Sequence, residues 1–240
     1  MEIPLLWVPL LVIIDGKSEF VARLGPNEER KHNTYFSIYE NFKWVSSGRD
    51  AVLAVSTTGN LYSLENMSFD DSDNMQSELL FLSGHVNKVS VHRGVAWMVK
   101  NGNSLRKFDV DSARTSCADN CWQANVSFPL TQIDNDVGIS QIDVGEFGVF
   151  GTTDNGEIYY RVGTHRNTGS DGNSWQRIHG TLSHISSGIN NVYGIGTQDS
   201  RNIYKLTSEI SFNEQGEIVW NGASRWEYIT EKQGTNISVL

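Results

Sequence analysis

The chain has 240 residues, with 19 Lys and Arg against 28 Asp and Glu and a formal net charge of −9. An acidic chain offers no counter-charge to nucleic-acid phosphates or to an anionic membrane surface, which excludes binders of those classes. Four Pro, 22 Gly, seven Trp and 38% hydrophobic residues exclude wholesale disorder and describe short strands, tight turns and an aromatic filling.

The first element is an apolar run, Ile3 to Ile14, too short for a membrane-crossing helix of about 20 residues. It has two readings. Residues 1–18 are either a signal peptide, with Gly16 and Ser18 as small residues at the cleavage point, or the first strand of the closing blade of the domain. Glu2, Pro4 and Pro9 weigh against the signal peptide. Acceptor sequons at Asn66, Asn125 and Asn236 fit a secreted glycoprotein. Residues 19–240 are expected to form a single domain, extracellular on the first reading and cytoplasmic on the second.

A repeat runs through that domain. Gly48, His92, Gly145, Gly188 and Leu240 serve as anchors, spaced 44, 53, 43 and 52 residues apart. Before them stand Val45-Ser46-Ser47, Val89-Ser90-Val91, Ile142-Asp143-Val144, Ile185-Ser186-Ser187 and Ile237-Ser238-Val239. After the first four begin the tetrads Val52 to Val55, Ala96 to Val99, Val149 to Thr152 and Val192 to Ile195, all in one register. Turn signals follow at Thr58-Gly59-Asn60, Asn101-Gly102-Asn103 and Asp154-Asn155-Gly156, then the pairs Leu61-Tyr62, Leu105-Arg106 and Ile158-Tyr159. Asn-Gly between β-branched or aromatic runs predicts a hairpin with a type I′ turn. Four short strands per repeat with no helical period predict an all-β fold, a β-propeller of five blades, with six as the alternative.

The run from Ser174 to Gly188, followed by Val192-Tyr193-Gly194-Ile195 and Ile203-Tyr204, resembles the tectonin repeat, W-x-x-I-x-G-x-L-x-x-I-x-x-G, then V-W-G-V, then I-Y. Gly145 to Arg161 is similar to its second half. Departures are His92 at an anchor, a tetrad Trp only at Trp97, and long inserts before Gly145 and Leu240. The resemblance implies a lectin like the fish-egg and tachylectin-like proteins, which bind glycans on microbial or cell surfaces in innate defence. The partners it implies are amino sugars or bacterial-wall polysaccharide. A protein-interaction scaffold without sugar binding is the alternative, since propellers are generic platforms.

No catalytic machinery is expected. The six His show neither a His-Glu-x-x-His helix nor Cys partners at zinc spacing, and Gly-x-Ser-x-Gly is absent, so neither an enzyme nor a metal or other cofactor is predicted. Asp70-Asp71-Ser72-Asp73 and Asp134-Asn135-Asp136 lack the glycine and terminal Glu of a calcium loop. Cys117 and Cys121 enclose three residues and are expected to pair in an oxidising compartment, or to stay thiols in the cytosol. Ligand contacts are placed in the loops after the anchors, at Asp50, Arg93, Glu146, Asn190 and Asn191, because loops on a rigid scaffold carry binding. Trp97, Phe150 and Tyr193 are aromatic candidates for ligand contact, with core between blades as the preferred role.

Overall fold

Antiparallel strands make up most of a computed structural model that describes residues 8–14, 17–23, 35–37, 42–48, 51–69, 75–117, 128–188, 191–197, 202–206, 210–220 and 226–230. The chain divides into two compact units, one of residues 1–94 and 109–129, the other of residues 95–108 and 130–240.

The first unit holds the sheet β1 (Val8–Ile14), β2 (Lys17–Arg23) and β3 (Tyr35–Ser37), in that order. A four-stranded sheet follows, β4 (Phe42–Ser47), β5 (Val52–Ser56), β6 (Leu61–Phe69) and β7 (Met75–Ser83), and then β8 (Val86–His92). Strand β5 is buried at all five positions. Its near-continuous apolar run, Val52-Leu53-Ala54-Val55, suits a strand covered on both faces. Phe42, Tyr62 and Phe81 cross this sheet edge to face, with ring centroids 6.0 and 5.8 Å apart.

Where strand alone is expected, the structure has a helix, α1 (Val110–Cys117). Val110, Ala113 and Cys117 are buried, an i, i+3, i+7 stripe legible in the sequence but too short to register as a period. The Ser112 amide donates to the Asp109 carboxylate at 2.8 Å, capping the first turn. Arg114 ties the helix down by donating to Glu65 at 2.6 Å and to the Ser63 hydroxyl at 3.2 Å.

The second unit contains β9 (Val95–Lys100), β10 (Ser104–Asp109) and β11 (Thr131–Ile133) as neighbours in one sheet. After them come β12 (Ile139–Gly145), β13 (Gly148–Thr153), β14 (Glu157–Arg161) and β15 (Trp175–Ser187). The chain continues through β16 (Val192–Gly196), β17 (Ile203–Leu206), β18 (Ile210–Phe212), β19 (Ile218–Trp220) and β20 (Trp226–Thr230). Strand β15 serves two sheets. Its Trp175–Ile178 half pairs with β14 as fourth strand, and its Leu182–Ser187 half pairs with β16 as the first strand of the next, completed by β17 and β20. The tectonin-like run thus spans the crossing from one sheet to the next.

The hairpin predicted at Asp154-Asn155-Gly156 is present between β13 and β14, but its turn differs. Only Gly156 has positive φ, at 80°, and its amide donates to the Thr153 carbonyl at 2.9 Å. This is a turn closed by a left-handed glycine, and not a type I′ turn with both central residues left-handed. Positive φ at two successive residues occurs at Gly102 (73°) and Asn103 (55°), within the predicted turn Asn101-Gly102-Asn103, and at Arg93 (48°) and Gly94 (73°).

The anchors mark where consecutive repeats approach. A Cβ on Gly145 would lie 1.9 Å from the Ser187 carbonyl oxygen, and one on Gly48 would lie 3.1 Å from that of Val91. Four residues before each of these glycines, a side chain reaches the next repeat: Trp44 Nε1 donates to Val89 O at 2.7 Å, while Gln141 donates to Ile185 O at 3.0 Å and accepts from Ile185 N at 3.1 Å. Two residues before, Ser46 accepts from Val91 N at 3.0 Å and Asp143 from Ser187 N at 2.6 Å. Five residues before, the register slips at Lys43 and Ser140, as it does at Ser183 before Gly188. A β-bulge therefore recurs at one repeat position.

Candidate functional site

The connections after the anchors are short and tied at their bases. Gly48 N donates to Ala51 O, and Gly188 N to Asn191 O, both at 2.8 Å. Between β12 and β13 the connection is Glu146-Phe147, where Phe147 N donates to Gly188 O at 3.0 Å. Its outer face meets the loop after β14. Arg166 N donates to the Glu146 carbonyl at 2.9 Å, and His165 Nδ1 donates to the Phe147 carbonyl at 3.0 Å. A carbonyl only accepts, so Nδ1 carries a proton in this contact, and in the neutral ring Nε2 is the acceptor.

Three rings gather at this connection. His165 stacks on Phe212 with centroids 3.8 Å apart and planes 19° apart, and Phe147 meets their edges at 5.4 and 5.8 Å. All three are half-buried. Phe212 arrives on the β18–β19 hairpin, which Gln176 sews to β15 through both the amide and the carbonyl of Ile218, at 2.7 and 2.9 Å. Beneath the rings, the Tyr160 hydroxyl accepts from His165 N at 3.1 Å, and burial raises the pKa of that phenol. Thr164 fixes the loop from inside by accepting from Val149 N at 3.0 Å and donating to Arg161 O at 2.6 Å. The result is a fixed aromatic surface, with Glu146 adjoining Phe147 in the same connection and its carbonyl held by Arg166 N.

Of the predicted contact residues, Glu146 lies at this surface, Arg93 is exposed in its own turn, and Asn191 is half-buried at the end of its connection. Asp50 and Asn190 lie outside the described residues. Trp97 and Phe150 are 0% exposed, which removes both from a solvent-facing site, and the Trp97 indole donates to Thr168 O at 3.3 Å. Tyr193 is half-buried on β16. Cys117 is buried at the end of α1, while Cys121, Asn125 and Asn236 lie outside the described residues. Asn66 falls on β6, where the register slips between Glu65 and Ser68. His165 and Phe212 were not among the predicted contacts. They come from an insert and a hairpin that belong to no repeat position, so the register could not point to them.

These are antiparallel sheets of a β-propeller, the class shared by the solved structures that the chain matches. The crystal structure of human WBSCR16 matches with a TM-score of 0.55 at 12% identity, over 95% of this chain and 67% of that one. Yeast RCC1 (Prp20), solved bound to Kap60, matches with a TM-score of 0.49 at 11% identity, over 88% of this chain and 57% of that one. No curated protein matches in sequence. The family model of the tectonin domain matches residues 113–239, more than half of the chain, and the chain belongs to that family.

Proposed function

We propose that the chain is a secreted, non-catalytic carbohydrate-binding protein that reads surface glycans through the connections after its repeat anchors. The observation that carries this reading is the ring group of Phe147, His165 and Phe212 beside Glu146, in a member of the tectonin family. A pyranose presents an apolar C–H face and a rim of hydroxyls. Aromatic rings take the first, and a carboxylate with the His165 Nε2 acceptor takes the second, without any need for net positive charge. Related connections on other repeats add weak sites that act together on a repeated glycan.

The test is retention on immobilised amino sugar or bacterial-wall glycan. Replacing Asp50, Glu146, Asn190 and Asn191 together by Ala abolishes retention and leaves the melting temperature nearly unchanged. Phe212→Ala alone weakens it. Failure of the parent chain to bind any glycan surface overturns the reading and favours a protein-interaction scaffold.

A further inference from the structure

Asn-Gly occurs three times in the chain, at Asn101-Gly102, Asn155-Gly156 and Asn221-Gly222. The pair carries a chemistry of its own, because a glycine with no Cβ lets its amide nitrogen reach the Cγ of the asparagine before it. Asn221 and Gly222 lie outside the described residues, and the fold holds the other two pairs differently. At the β13–β14 turn Asn155 is exposed but Gly156 is buried. The Gly156 amide donates to Thr153 O and its carbonyl accepts from Leu182 N of β15, both at 2.9 Å. A Cβ built on Gly156 would lie 2.9 Å from Thr197 Cγ2 and 3.1 Å from Leu182 O. Glu157 N adds a bond to the Thr153 hydroxyl at 3.2 Å. The nitrogen that would attack is thus bound, and its residue is clamped against β15.

Asn101–Asn103 form a single 3-10 turn between β9 and β10. Asn101 and Gly102 are both exposed, and a Cβ built on Gly102 would meet nothing within 4 Å. The side-chain tie described for this turn falls beyond the reacting pair, from Asn135 Nδ2 to Asn103 O at 2.5 Å.

We propose that Asn101 is a site of spontaneous deamidation and that the fold protects Asn155 from the same reaction. Gly102 N bonds to Asn101 Cγ, the Cγ–Nδ2 bond breaks, and ammonia leaves with the amide proton, giving a cyclic succinimide. Water then opens the ring. Attack at Cγ restores the ordinary backbone with aspartate, and attack at the α-carbonyl routes the chain through Cβ and Cγ as isoaspartate. One side-chain amide and one water are consumed, and one carboxylate and one ammonium are formed. Ring closure requires the pair to swing out of its turn, which Gly102 does by local opening, whereas Gly156 must first break the bonds at its amide and its carbonyl. Either product adds a negative charge to a chain already at −9, and isoaspartate also lengthens the turn by one backbone carbon.

The experiment incubates the folded full chain in mildly alkaline buffer and follows both sites by peptide mass spectrometry. Each conversion adds one mass unit, and electron-transfer fragmentation separates isoaspartate from aspartate. Asn101 is expected to convert about tenfold or more faster than Asn155, a factor set by the bonds that hold Gly156. In urea, where both pairs are released, the two rates converge. Equal or faster conversion of Asn155 in the folded chain overturns the proposal, as does an Asn101 that converts only in urea. A difference that persists unchanged in urea overturns it too, since it would belong to the neighbouring sequence and not to the fold.

Discussion

The contact between consecutive repeats is built in each unit from the same positions with different chemistry. In the first unit a single indole N–H and a serine hydroxyl bridge to β8. In the second, Gln141 satisfies both the amide and the carbonyl of Ile185, and the Asp143 carboxylate accepts from Ser187 N and from the Ser186 hydroxyl. The glycine approach is also closer at Gly145 than at Gly48. Backbone spacing thus dictates where a bridge must reach, and leaves open which polar side chain does the reaching.

The largest expected effect breaks the closer approach. Gly145→Ala places a Cβ 1.9 Å from one backbone oxygen and 2.5 Å from its carbon, so two strands must separate. A loss above about 4 kcal/mol, or failure to fold, is expected in urea titration. Gly48→Ala, at 3.1 Å, costs only about 1 to 2 kcal/mol. Equal losses would show that the two approaches are energetically alike.

Next come the bridging side chains. Gln141→Leu leaves a buried N–H and a buried C=O without their partner and costs about 2 to 4 kcal/mol, since each stranded group carries its desolvation penalty. Trp44→Phe removes one donor and keeps most of the ring, at about 1 to 2 kcal/mol. A third pair tests charge. Asp143→Ala is expected to cost about 1.5 to 3 kcal/mol, and Ser46→Ala about 1 kcal/mol, because bonds to an ionised acceptor are stronger than neutral ones.

This comparison also explains what the sequence could and could not disclose. Glycine anchors, apolar tetrads and turn glycines recur because a backbone approach, a doubly covered strand and a left-handed residue each admit few side chains. Hence the strands and hairpins were legible at Gly48, Val52 to Val55 and Gly156. The bridges were not, since Trp44 and Gln141 share a position and a task but no chemical likeness. The candidate site was half legible: Glu146 follows from the register, whereas His165 and Phe212 lie in segments outside it. Helix α1 was missed because its stripe of Val110, Ala113 and Cys117 covers only two turns.

The smallest expected effect sharpens the comparison most. Thr152 stands opposite Gln141 in the β12–β13 register and donates its hydroxyl to the Gln141 Oε1 at 3.1 Å, while Val55 holds the matching place opposite Trp44. Thr152→Val therefore gives the second unit the residue of the first at nearly constant volume. Oε1 still accepts from Ile185 N, so no buried acceptor is stranded and the cost is held to about 0.5 to 1 kcal/mol. A urea midpoint shifted by that amount, with an unchanged slope, assigns Thr152 a supporting bond and no more. A loss as large as that of Gln141→Leu would show that the hydroxyl orients the amide, and that the bridge of the second unit is a unit of three side-chain and backbone partners where that of the first needs two.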